Sequence, residues 1–483
     1  MLIWGCEAAS CGTFGFDMHH SYSDSVKSIL DLDGSLPERY SFDYYSATAH
    51  RDRLIRGRHL STTPTSPLTF IAGNDTHHVN TPGSLYYANV SVGTPELWFL
   101  VALDTGSDLF WLPCDCRSCV RSMITKSGQQ LDFNMYSPST SSTSMTVPCN
   151  SAMCYARSPC LADSHDACPY KINYLSNGTS SSGLLIEDVL HFTTDDSLQK
   201  VVNAPITLGC GIMQTGVFLE GTAPNGLFGL GMESISVPSV IASKGIVVDS
   251  FSMCFGNDGI GRIIFGDKGG SDQGETPFNL DQLHPTYNVS VTQIAVGENI
   301  TNVDCPVIFD SGTSSTYVND PAYTTITENF NSRVEEPRYF QPDTRVPFEY
   351  CYKPRTDSFP AYVVQAKQGG GYMYCLGVVK SEDVNIIGQN YMTGYRVVFN
   401  REKMVLGWKA SNCYDAEQTN TGSSNTFPIN QQNATGAPSP SSVGPKATSA
   451  RGQSLGAGSY EHNSNSLSSK ALIFLFSLLF ILS

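Results

Sequence analysis

Charge is scarce in this chain of 483 residues, with Asp, Glu, Lys and Arg together only 15% of the total, against the ~25% usual in soluble domains. Coiled coils and long helical bundles, which need charged outer faces, are disfavoured. Basic residues are scarcer still: 29 Lys plus Arg stand against 44 Asp plus Glu, a net charge of −15. Such a field repels phosphate backbones and anionic lipid surfaces, so no nucleic-acid partner is expected. Long apolar runs are lacking too. The longest, Ala471 to Leu482, would make a helix of about 18 Å, short of a ~30 Å hydrocarbon core. At the other end, Met1-Leu2-Ile3-Trp4 falls short of the roughly 7–15 apolar residues of a secretory signal core, as in a chain whose leader is truncated.

What is present is turn chemistry and β-formers, 42 Gly and 26 Pro with 23 Tyr and 24 Phe, the composition of a predominantly β protein. A mass of 52.4 kDa exceeds one ordinary core, so two packed units with terminal appendages are expected. Fifteen cysteines accompany six Asn-X-Ser/Thr sites at Asn74, Asn89, Asn177, Asn288, Asn299 and Asn433, which together indicate the oxidising secretory route. Asn89 falls in an expected strand and is the site expected to stay bare. Five regions follow: a signal remnant and pro-segment over 1–80, an N-terminal lobe over 81–270, a C-terminal lobe over 271–415, a Ser/Thr/Asn/Gly/Pro-rich stalk over 416–470, and the apolar tail over 471–483. The small trio Ala457-Gly458-Ser459, a polar spacer and that tail have the layout of a GPI-anchor signal, with Ala457 as the candidate attachment residue. A tail-anchor helix is the alternative. A monomer on the outer face of the plasma membrane, or free outside the cell, is expected. Arg51, Arg53, Arg56 and Arg58 cluster within eight residues of this acidic chain; they are either a solvated helix face or a basic segment covering an acidic cleft.

Between about Gly83 and Cys413, stretches such as Leu85–Val92, Trp98–Leu103, Leu184–Phe192, Asn288–Val296 and Met404–Trp408 read as strands. Short helices are expected at Pro238–Ser243 and after Asp320-Pro321. One order of elements then occurs twice. A strand ending in Gly93 precedes the apolar run Phe99–Leu103 and Asp104-Thr105-Gly106-Ser107, and Leu227-Phe228-Gly229 follows. A strand ending in Gly297 precedes Val307-Ile308-Phe309 and Asp310-Ser311-Gly312-Thr313, and Ile386-Ile387-Gly388 follows. Such a repeat implies two homologous lobes whose Asp loops face one another across a cleft. Gly permits a tight turn that brings N–H groups to the carboxylate, and Thr105 and Ser311 can hydrogen-bond across to the opposite loop. Two carboxyls pressed together share one proton, so one can activate water while the other polarises a carbonyl. That chemistry calls for neither metal nor cofactor.

These motifs, with Trp111, Asn225-Gly226-Leu227-Phe228-Gly229-Leu230-Gly231, Asn385-Ile386-Ile387-Gly388-Gln389 and the closing Tyr395–Arg401 and Val405–Trp408, resemble the pepsin-like aspartic proteases. The chain is most similar to their plant nepenthesin-type group, some of whose members are GPI-anchored. The resemblance implies an all-β, bilobal fold and an endopeptidase acting on extended polypeptides at acidic pH, with Asp104 and Asp310 catalytic. It also implies a cysteine-rich insertion, matched by Cys114, Cys116, Cys119, Cys149, Cys154, Cys160 and Cys168. The rival for Cys114–Cys119 is a zinc site, disfavoured in an oxidising compartment. Thirteen cysteines lie between Cys114 and Cys413, an odd number that leaves one without a partner inside the domain. A flap tyrosine bonded to the Trp111 indole is implied as well. Tyr174 fits and Tyr170 is the rival, although Leu175, Ser176 and Asn177 depart from the group's usual flap sequence. The other class of function compatible with the resemblance is a pepsin-like binding or inhibitor protein without catalysis.

Overall fold

The computed structural model describes residues 13–29, 36–56, 86–124, 128–154, 160, 166–174, 178–194, 201–280, 285–296, 299–339, 347–354, 364–368, 371–382 and 384–413. Strands dominate these residues and helices are few and short. The tail, the stalk, Ala457, and Asn74, Asn177 and Asn433 lie outside them, as do Arg58 and the side chains of Arg53 and Arg56. No helix among the described residues is long and apolar enough to cross a membrane.

The repeat read from the sequence is a structural repeat. Strand Leu97–Asp104 runs parallel to Leu227–Gly229, with Asp104 opposite Gly229. Strand Asn299–Phe309 runs parallel to Ile386–Ile387, with Phe309 opposite Ile387. In both halves the short inner strand also pairs with the strand leaving the Asp loop, Leu227 with Trp111 and Ile386 with Tyr317. The first Asp-bearing strand is buried on both faces: Phe99, Val101 and Leu103 enter one core cluster, Leu100 and Ala102 another. A strand covered on both sides reads as a continuous apolar run rather than an alternating one. Its end, and therefore Asp104, is fixed by packing from two directions.

A 14-stranded sheet joins the two halves of the chain, since Ser250–Phe255 pairs with Tyr395–Asn400, Phe251 lying opposite Phe399. Strand Phe14–His20 sits inside this sheet, paired with Ile260–Phe265 on one side and with Tyr86–Val92 on the other. The segment before residue 80, expected as a pro-segment, therefore supplies a central strand of the fold. Its alternation explains why: Phe14 and Met18 are buried, and Phe16 lies against the rings of Phe192, Phe228 and Phe265. Opposite, Arg262 pairs with Asp17 at 2.9 Å.

The expected short helices are Val237–Ser243, with Pro238 in its first turn, and Ala322–Asn331, where the Asp320 carboxylate accepts the N–H of Thr324 at 3.2 Å. Twelve of the thirteen core cysteines form Cys114–Cys210, Cys116–Cys119, Cys149–Cys160, Cys154–Cys168, Cys254–Cys413 and Cys351–Cys375. The thiols weighed as a zinc site are thus in disulfides. Cys305 is the thirteenth, buried and reduced, its thiol pushed up to about 11 by burial.

Candidate active site

Asp104 and Asp310 end their strands in loops of matching geometry. The N–H of Gly106 donates to Asp104 Oδ1 at 2.9 Å and the Ser107 hydroxyl to Oδ2 at 2.7 Å. The N–H of Gly312 donates to Asp310 Oδ1 at 2.8 Å and the Thr313 hydroxyl to Oδ2 at 2.6 Å. The loops are tied across the cleft: Thr105 N–H donates to Ser311 Oγ at 3.1 Å, and Ser311 N–H to Thr105 Oγ1 at 2.9 Å. Both hydroxyl residues are buried, which makes each bond costly to leave unmade. Close approach explains the glycines. A Cβ on Gly106 would stand 3.0 Å from Asp310 Oδ1, and one on Gly312 would stand 2.6 Å from Asp104 Oδ1.

Burial, and next the charge of Asp310, pushes the Asp104 carboxyl up to about 6; the Ser107 and Gly106 bonds and the charge of Arg51 pull the other way. A carboxyl raised in this way holds a proton at mildly acidic pH that an ordinary aspartate would have lost.

Tyr174, not Tyr170, accepts the Trp111 indole N–H, at 2.8 Å. Its ring meets Phe218 edge-on at 4.9 Å, and Trp111 meets Phe218 at 5.0 Å. The hairpin beneath is formed by Pro169–Asn173 against Ser180–Leu184, and Tyr174 N–H closes it onto the Thr179 carbonyl at 3.0 Å. Tyr170 is instead buried, its hydroxyl 3.0 Å from Ser181 Oγ. Phe218 had no sequence signal, since it lies in a short 3-10 turn outside the recognised motifs.

The helix Phe42–Arg56 ends against the Asp310 loop. Arg51 Nη1 donates to the Gly312 carbonyl at 2.8 Å, and the Asp52 carboxylate, fully buried, is held by Ser314, Ser315 and Tyr317. Behind the helix His20, 0% exposed, takes the N–H of Tyr22 on Nδ1 at 3.1 Å and stands edge-on to Tyr86. Asp52 was hidden within an arginine-rich run, and only the alternation of Phe14, Phe16 and Met18 could have signalled that this region enters the fold.

Of the candidate glycosylation sites, Asn299 is exposed and Asn288 is half-buried. Asn89 lies in a strand flanked on both sides, with its Oδ1 buried and without a hydrogen-bond partner.

A family model described as "Xylanase inhibitor N-terminal" matches residues 86–267. The chain is 53% identical to Aspartyl protease family protein 1 of Arabidopsis thaliana, over 98% of this chain and 94% of that protein. It is 36% identical to Aspartic proteinase-like protein 1 of the same plant, over 90% and 89%, and 25% identical to Aspartic proteinase nepenthesin-1 of Nepenthes gracilis, over 68% and 78%. Among solved structures, conglutin gamma, "a unique basic 7S globulin from lupine seeds", superposes with a TM-score of 0.52 at 18% identity, over 68% of this chain and 92% of that one. The structure titled edgp gives 0.53 at 17%, with the same two coverages.

Proposed function

The chain belongs to the pepsin-like aspartic proteases, in the plant group that includes the nepenthesins, and on that premise we propose that it is an acid endopeptidase acting on extended polypeptides. The observation that carries this reading is the pair of carboxyls, each held by a glycine N–H and a hydroxyl, in loops cross-tied by Thr105 and Ser311. With one proton between them, the ionised carboxylate takes a proton from water as the water attacks the scissile carbonyl. The protonated partner donates to the carbonyl oxygen, and the tetrahedral intermediate then collapses as a proton passes to the leaving nitrogen. Hydrolysis of an unfolded protein at several acidic pH values, with and without a peptide mimicking the tetrahedral intermediate, tests the proposal. Tyr174 acts as lid. Tyr174→Ala should lower kcat about tenfold by loosening the flap and orphaning the Trp111 N–H, without the near-complete loss expected at the dyad. An unchanged kcat in stopped assays would remove Tyr174 from that role.

A second reading, binding without cleavage, is favoured by the name of the matching family model and by the seed-globulin neighbour. Against it stand both acids with all four of their hydrogen-bond donors. Tight peptide binding with no product at any pH would decide for it.

Secretion followed by tethering through a GPI anchor is the localisation we favour, from the cysteines, the sequons and the layout of residues 457–483; release by phosphatidylinositol-specific phospholipase C is its test.

The docked helix makes the full-length chain latent in this reading, with Arg51 placed beside the dyad. Acid should loosen it, and His20 supplies a reason. Burial first, then the charges of Arg39 and Arg51, depress the imidazole well below its ordinary value of 6.5, with a Gln389 hydrogen bond opposing; Tyr22, Tyr44 and Tyr86 complete its surroundings. Because the docked form binds fewer protons than the released form, docking is at full strength above about pH 6.5 and weakens as pH falls below it. Protease susceptibility of residues 36–56 should therefore rise as pH falls below about 6.5. His20→Gln should flatten that rise, and a variant with the wild-type pH dependence would show that other groups govern release.

A further inference from the structure

We propose that the donors surrounding Asp52 form a carboxylate-selective subsite of the substrate cleft, filled by Asp52 while the helix Phe42–Arg56 is docked and by an acidic side chain of the peptide substrate once the helix is gone. This rests on the proteolytic reading above and adds a substrate preference to it.

Four donors converge on one buried carboxylate. Asp52 Oδ1 accepts the N–H of Ser314 at 3.1 Å; Oδ2 accepts the Ser314 hydroxyl at 2.5 Å, the N–H of Ser315 at 3.2 Å and the Tyr317 hydroxyl at 3.0 Å. All four belong to the stretch that follows Asp310-Ser311-Gly312-Thr313, so the pocket adjoins the reacting centre. Its shape does not depend on Asp52. The Thr313 and Ser314 carbonyls accept the N–H groups of Gln389 and Asn390 at 2.8 and 3.1 Å, Thr316 Oγ1 accepts the N–H of Gly388 at 3.1 Å, and Tyr317 sits in a strand paired on both edges. A donor set held from behind persists when its ligand leaves.

Two of these donors are backbone N–H groups, which cannot reverse polarity. A carboxylate, with two oxygens and about four lone-pair sites, can accept from all four groups, whereas an amide offers one oxygen and turns its own N–H toward at least one donor. The nearby cation, Arg51 at 3.2 Å from Asp52 Oδ1, belongs to the same helix and departs with it. The vacated pocket then presents these four donors to water or to an incoming acceptor.

To test this, site-specific protease sequences are placed within 30–35 and within 57–85 of the full-length chain. Segment 36–56 can then be cut out after folding while strand Phe14–His20 stays in the sheet. A fluorescent synthetic peptide of residues 36–56 should rebind, and Asp52→Asn in that peptide should weaken binding about tenfold to hundredfold. Matched substrate peptides, differing only by Asp against Asn or Glu against Gln at successive positions, are compared at about pH 5.5, where a free carboxylate is ionised. At one position kcat/KM should favour the acid by about tenfold, and the ratio should approach one in the Ser314→Ala, Tyr317→Phe double variant. Should that variant fail to fold, Tyr317→Phe alone must still lower the ratio. Equal binding of the Asp52→Asn peptide, the absence of any acid-preferring position, or a ratio untouched by the substitutions would overturn the subsite. If no peptide is cut at all, the proteolytic reading fails separately. The same acid and amide pairs are then compared for binding, where equal affinities overturn the subsite and a tenfold preference upholds it.

Discussion

Replacing either Asp104 or Asp310 by Asn is expected to lower peptide hydrolysis at least about 10²–10⁴-fold, because neither amide can take a proton from water or hold the shared one. The fold should survive. An Asn at 104 keeps the side-chain volume and an oxygen for the Gly106 N–H, and the crossed bonds of Thr105 and Ser311 do not involve the carboxylates. Stability supplies an independent readout with a definite sign. The folded-state value of Asp104 is raised from 3.8 to about 6, so the unfolded chain gives up this proton more readily. Asp104 therefore costs the native state nothing below about pH 3.8, and its cost grows as pH rises until the folded group has also ionised. Asp104→Asn should accordingly melt at the same temperature as wild type near pH 3 and at an equal or higher temperature near pH 7, while being inactive at both. A variant that is inactive because it is unfolded would show the opposite order.

Why the dyad was readable in the sequence, and the docking of helix Phe42–Arg56 was not, comes down to local versus long-range determinants. Asp104, Gly106 and Ser107 interact within one turn, so the chemistry of the loop is written in consecutive letters, and its recurrence at Asp310 exposed the two lobes. Strands such as Asn288–Val296 were legible because β-branched and aromatic residues recur between Gly and Pro breaks. Tyr174 and Tyr170 were harder to separate. Both lie on the same hairpin, and only the tertiary position of Trp111 and Phe218 selects between them. Asp52 could not be read at all. Its partners, Ser314, Ser315 and Tyr317, lie more than 260 positions away, and its neighbours Arg51 and Arg53 drew attention to the basic residues of the run, whether solvated or covering a cleft. Strand Phe14–His20 did carry a period-two signal, but its place in the sheet depends on Ile260–Phe265 and Tyr86–Val92 leaving a gap between them.

That strand gives the second large effect. A chain beginning at residue 68 should fail to reach the native state, or should melt far below one beginning at residue 13. Deletion removes the burial of Phe14 and Met18, at about 1.5–3 kcal/mol each, and unpairs two neighbouring strands along their facing edges. Unpaired backbone groups facing an apolar core add a further cost for each lost partner. The sum is comparable to the ~5–15 kcal/mol that stabilises an ordinary domain. Supplying residues 13–29 as a separate peptide during refolding should restore cooperative melting. Equal melting of the two chains without that peptide would mean that another segment closes the gap.

The central claim, that two aspartates sharing one proton hydrolyse peptides, is tested most directly by the pH dependence of kcat/KM. The substrate should lack ionisable side chains, and the enzyme should be the folded chain from which residues 36–56 have been excised. With the singly protonated dyad as the working form, the rate should peak on the acid side and fall about tenfold per pH unit once the shared proton is lost. That descent should begin above the ordinary carboxylate range, the direction in which burial and Asp310 move Asp104, and no metal chelator or thiol reagent should change it. A rate that stays level or climbs through pH 7 to 8 would contradict the account.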